Sequence, residues 1–73
     1  DVAAKEAIYS LLDDLTQKGK TVIAVSSDLT ELLSISHRII VMSDGAITGE
    51  FTPDNWSKEA ITAAAFAGYQ KAA

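Results

Sequence analysis

Few residues in this chain could do chemistry, and their spacing limits what they could do together. The single histidine, His37, stands just ahead of an apolar run and has no nearby partner set of His, Cys or carboxylate ligands. Metal binding and general-base catalysis both need such convergent groups. His37 therefore reads as a residue at the entry of a strand, with one solvated edge. Asp13 and Asp14 are adjacent, so on a helix they point to different faces and cannot act as a pair. Glu31 lies three residues after Asp28, the spacing of a capping box, and reads as a cap rather than a catalyst.

Ser26-Ser27 is the pair with the most chemical interest, since it lies where an apolar run meets a helix start. In α/β sheets that junction is where ligand-facing residues gather. No Gly-x-Ser-x-Gly elbow surrounds the pair, so nucleophilic catalysis is not indicated, and helix entry with backbone capping competes with a site-lining role. Gly19, Gly45, Gly49 and Gly68 are too far apart to cradle a phosphate. Phe51, Trp56, Phe66 and Tyr69 cluster towards the end of the chain and are expected to form a satellite core rather than a ligand platform.

The elements that position these residues follow from periodicity. Ile8, Leu11, Leu12 and Leu15 fall on one helical stripe. Asp1 can cap that helix and Gly19 can stop it, which predicts a helix over about residues 2–18. The run Thr21-Val22-Ile23-Ala24-Val25-Ser26 is β-branched and apolar without alternation, the pattern of a strand buried on both faces. Asp28 opens a short helix over about 29–36. Arg38-Ile39-Ile40-Val41-Met42 is a second continuous apolar run, and Asp44-Gly45 is a two-residue hairpin signal. In the returning strand Ile47, Gly49 and Phe51 alternate with polar residues, so it should be half exposed. Thr52-Pro53-Asp54-Asn55 breaks the pattern, and Ser57 caps an alanine-rich helix to about Gly68. The tail after Tyr69 is expected to fray.

The expected order is thus α-β-α-β-β-α, a mainly parallel sheet with a C-terminal hairpin and helix, built on a right-handed βαβ crossover. A helix standing before the first strand implies a missing strand, and the chain starts at Asp1 without Met. Both suggest one partial domain, residues 1–73, cut from something longer.

Bulk properties narrow the class further. The chain has 73 residues, 48% of them hydrophobic, and no cysteine, which removes disulfide staples and points weakly to the cytoplasm. The net charge of −4 and six scattered basic residues leave no basic face, so nucleic acid is not expected as a partner.

Several stretches together resemble one family. Asp1-Val2-Ala3-Ala4-Lys5-Glu6-Ala7-Ile8-Tyr9 is similar to the segment after the Walker B motif in sugar-importer ATPases of the ABC family, which are P-loop NTPases. Gly19-Lys20-Thr21-Val22-Ile23-Ala24-Val25-Ser26-Ser27-Asp28-Leu29 resembles the strand leading to their switch loop. Arg38-Ile39-Ile40-Val41-Met42-Ser43-Asp44-Gly45 resembles the following strand and hairpin, and Ala63-Ala64-Ala65 before Gly68 resembles the closing helix. The pieces occur in one order without gaps.

The resemblance implies that Asp1 stands at the D-loop aspartate, at the interface between nucleotide-binding domains. It implies that Ser27 stands where active members carry the switch histidine, as in the second, degenerate half of fused ribose, xylose and galactose importers. His37 stands where the family often has Asp, so it is not that histidine displaced. The Walker A loop, the Q-loop, the signature motif and the Walker B carboxylates are not in this sequence. No intact catalytic, cofactor or metal residue is therefore expected here, while ATP and Mg are expected in the parent protein. The implied partners are the rest of the ATPase subunit and the transmembrane permease subunits, at the inner face of a bacterial plasma membrane. Apolar strands with open edges further predict self-association. The alternative is a free-standing small α/β interaction or regulatory module with no nucleotide role.

Overall fold

The computed structural model describes residues 1–70 and divides the chain into two compact units, Asp1–Ile35 and Ser36–Ala73. The first unit holds two helices, α1 (Val2–Gln17) and α2 (Leu29–Ile35). Both helix boundaries of α1 follow from side-chain and backbone chemistry. The Asp1 carboxylate accepts from the Ala4 N–H at 2.9 Å, satisfying one of the orphan donors of the first turn. At the other end the Gly19 N–H donates to the Thr16 carbonyl and the Lys20 N–H to the Leu15 carbonyl, each at 3.0 Å. This is a Schellman stop, and Gly19 supplies its left-handed residue at φ 84°.

The segment between the helices differs from expectation. Residues 21–26 form no strand, because strand state depends on a pairing neighbour and no described residue pairs with them. Ile23 is 88% exposed and Val25 96%. Among the described residues the order is therefore α-α-β-β-α rather than α-β-α-β-β-α, with neither the expected βαβ crossover nor a parallel sheet. The helical stripe of α1 is likewise incompletely covered: Leu12 and Leu15 are half-buried, while Ile8 and Leu11 are exposed.

The second unit is an antiparallel hairpin, β1 (Ile39–Ser43) and β2 (Ala46–Phe51), covered on one face by α3 (Lys58–Gln70). Asp44 at φ 51° and Gly45 at φ 78° make the two-residue turn, both in the left-handed region that a type I′ connection needs. Alternation along β1 buries Ile39, Val41 and Ser43 against Ile61 and Ala64 of α3, and turns Ile40 and Met42 outward.

The register runs Ile39 to Phe51, Ile40 to Glu50 and Val41 to Gly49, then slips so that Met42 faces Ile47. Thr48 is the extra residue of this bulge, which re-aims one side chain and exchanges the faces of the strand on either side of it. Its hydroxyl donates to the Ala64 carbonyl of α3 at 2.6 Å. For the same reason Ile47 is 65% exposed, opposite the outward Met42, instead of sharing the inner face with Gly49 and Phe51.

Ser57 starts α3 as expected, accepting from the Ala60 N–H at 3.0 Å. The helix runs two residues past Gly68, through Gln70; the remainder of the expected frayed tail, 71–73, lies outside the described residues. The satellite aromatic core is only half realised: Phe51 and Trp56 are half-buried, whereas Phe66 and Tyr69 are exposed on α3. No helix among the described residues is long and apolar enough to cross a membrane.

Candidate functional site

Three side chains of the first unit, Lys5, Tyr9 and Ser26, converge on the Glu31 carboxylate of α2. The Asp28 carboxylate accepts from the Glu31 N–H at 3.1 Å, which is half of the expected capping box. The reciprocal half is not made. The Asp28 N–H donates instead to Ser26 Oγ at 2.9 Å, so Ser26 takes over that capping task. This leaves the Glu31 carboxylate free for other donors.

Glu31 Oε1 accepts from Ser26 Oγ at 3.0 Å, and Oε2 accepts from the Tyr9 hydroxyl of α1. Lys5 Nζ lies 3.9 Å from Oε2, one helical turn before Tyr9 on the same face. These contacts shift the ionisation of both acids. The bond donated to Glu31 pushes the Tyr9 phenol up to about 12, since a phenolate could no longer donate beside that carboxylate. The hydroxyls of Tyr9 and Ser26 hold the Glu31 carboxyl below its ordinary range, with Lys5 adding to the effect. Sequence reading missed this cluster. Its only signal was Tyr9 standing one turn beyond Lys5, next to an apolar stripe.

Ser27 stands between the two residues this network holds, and it is exposed. It follows a segment that pairs with no described residue, rather than a strand. Asp1 is exposed at the start of α1, with one carboxylate oxygen committed to capping. Asp13 and Asp14 are both exposed on α1. In the second unit His37 is exposed two residues before β1, and Arg38 pairs with Glu50 across the hairpin at 3.3 Å. Among the described residues no three His, Cys, Asp or Glu side chains gather to hold a metal ion. Nor do the described residues form any Gly-rich loop. These residues do not by themselves fit a nucleotide with its cation.

Comparison with known proteins decides the relationship. A ribose import ATP-binding protein of Clostridium perfringens (strain SM101) is 52% identical over 61 residues, covering 84% of this chain and 12% of the relative. An arabinose import ATP-binding protein of Vibrio parahaemolyticus is 44% identical over 73 residues, 100% of this chain and 14% of the relative. This chain matches a segment of the sugar-importing ABC ATPases. A second ribose import ATP-binding protein, from Rubrobacter xylanophilus, is 48% identical over 65 residues, 89% of this chain and 12% of the relative. The chain thus spans about an eighth of the length of the relatives it matches. No protein-family model matches it, and no solved structure does.

Proposed function

We propose that this chain is the C-terminal portion of the ATP-binding subunit of an ABC transporter that imports a ribose- or pentose-like monosaccharide, and that it is inactive alone. Its two units are then parts of a single nucleotide-binding domain. Asp1 and the start of α1 form the D-loop end, residues 21–27 form the switch-loop segment, and α3 closes the domain. The observation that carries this reading is the 44% identity over all 73 residues to an arabinose import protein, one alignment running through both units.

Ser27 in place of a switch histidine fits a degenerate half-site. A hydroxyl can hydrogen-bond a phosphate oxygen, but it cannot carry the imidazolium charge or shuttle a proton near neutral pH. Phosphoryl transfer relies on positioning and charge stabilisation by a lysine-bearing loop and Mg²⁺. The parent subunit supplies those groups, binds ATP with Mg²⁺, and docks on membrane permease subunits at the cytoplasmic face.

Calorimetry of this chain with ATP and Mg²⁺ tests the reading directly. The expected result is no saturable heat, because the backbone N–H groups that hold phosphates in such sites come from loops outside these residues. Micromolar binding competed by ADP overturns it. In the parent subunit Ser27→His alone is expected to leave the ATPase rate within about twofold, since one restored group does not rebuild a site whose effects are non-additive. A large gain in rate overturns the assignment of a degenerate half.

A further inference from the structure

The Glu31 carboxylate divides its two oxygens between two separate pieces of chain. One takes the Ser26 hydroxyl at 3.0 Å, the other the Tyr9 hydroxyl of α1. Ser26 Oγ simultaneously accepts from the Asp28 N–H at 2.9 Å, and Asp28 in turn accepts from the Glu31 N–H at 3.1 Å. Residues 26 and 28 are therefore both tied to Glu31, while Ser27 between them is exposed.

A simple cap would direct the Glu31 side chain to the Asp28 N–H. Here Ser26 has taken that donor, so the carboxylate spans from the turn to α1 instead. The upward shift at Tyr9 and the downward shift at Glu31 are both what such a bridge produces.

We infer that Glu31 is a positioning residue for Ser27, a carboxylate bridge that sets the Ser26–Asp28 turn relative to α1 through Tyr9. Its functional meaning rests on the reading of Ser27 as the switch position, and the positioning itself does not. Because Asp1 caps α1, a displacement of that helix from its Asp1 end is transmitted to the Ser27 turn, and a ligand that moves the turn acts back on α1 with the same coupling. The ionisable groups facing this carboxylate are Tyr9, Lys5 and Asp28.

Amide exchange and amide chemical shifts of the isotopically labelled chain test the bridge. Tyr9→Phe removes only the distal end and touches neither Ser26, Ser27 nor Asp28. It is expected to speed exchange of the Asp28 amide roughly two- to tenfold, the worth of one net hydrogen bond, and to move the Ser27 resonance. Glu31→Ala is expected to do the same more strongly. Glu31→Gln can accept from one hydroxyl and donate to the other, so it should hold Ser27 near its native shift. Ile8→Ala, next to Tyr9 on α1, should leave the turn unmoved. If Tyr9→Phe leaves Ser27 and Asp28 unchanged, the link to α1 is overturned. If Glu31→Ala leaves Ser27 unmoved, or if Tyr9→Phe and Ser26→Ala add without coupling, the positioning role is overturned. Where Glu31→Ala fails to fold, the two conservative variants still decide. No nucleotide enters these measurements, so a parent subunit in which Ser27 proves remote from phosphate defeats the functional reading and leaves the bridge standing.

Discussion

Ser43 Oγ of β1 accepts from the Gly68 N–H of α3 at 3.1 Å. Thr48 Oγ1 donates to the Ala64 carbonyl at 2.6 Å, so two hairpin hydroxyls hold the donor and the acceptor of one helical i to i+4 position. A Cβ on Gly68 would lie 2.6 Å from Asp44 Cβ and 3.0 Å from the Ser43 carbonyl carbon. Neither neighbour is the end of a flexible side chain. Gly68→Ala is therefore expected to destabilise the second unit by about 1–3 kcal/mol through overpacking, read as a lower denaturant midpoint in circular dichroism. An unchanged midpoint would show that α3 does not approach the hairpin this closely.

Gly19 gives a contrasting test, because its φ of 84° comes with nothing within 4 Å of a built Cβ. Gly19→Ala should cost about 1 kcal/mol from backbone strain alone. Gly19→Asn should cost less, since Asn tolerates the left-handed region. Equal losses for Ala and Asn in thermal unfolding would argue against the Schellman stop.

The phenol of Tyr9 offers a pH readout. Its pKa rises from 10.0 to about 12 in the folded chain, so its contribution to stability is fully present below about 10 and is lost as pH rises towards 12. Glu31 is shifted the other way from its ordinary 4.5, so its contribution is present above that value and is lost as pH falls through the lowered folded pKa. With Tyr69→Phe leaving Tyr9 as the one tyrosine, ultraviolet titration should place phenolate formation near 12, and Glu31→Gln should bring it back towards 10. Titration near 10 without that substitution would mean that the Tyr9–Glu31 bond does not persist in solution.

Among the described residues β1 pairs with β2 alone, and the edge this leaves predicts self-association of the isolated chain. Its outward residues Ile40 and Met42 are exposed, and unpaired strand edges recruit other chains. Light scattering after size-exclusion chromatography should find dimers or larger species, and Ile40→Lys with Met42→Lys should shift them to monomer. A wild-type monomer at high concentration would refute this.

What the amino-acid order determined by itself is the local structure and the kinship. Asp1, Gly19, Ser57 and the Asp44-Gly45 turn act over a few residues, through caps and backbone conformations that need no distant partner, and each appears where the spacing placed it. The relationship to sugar-import ATP-binding proteins was legible for a similar reason, since it rests on residues in fixed order. Tertiary structure decided the rest. The run 21–26 has the composition of a buried strand, but composition supplies no hydrogen-bonding neighbour, and here it is unpaired. The bulge at Thr48 reversed the face of Ile47, because a period of two loses its phase at one extra residue. The bridge from Tyr9 to Glu31 joins residues 22 positions apart, and it became visible only when α1 and α2 brought a phenol and a carboxylate together.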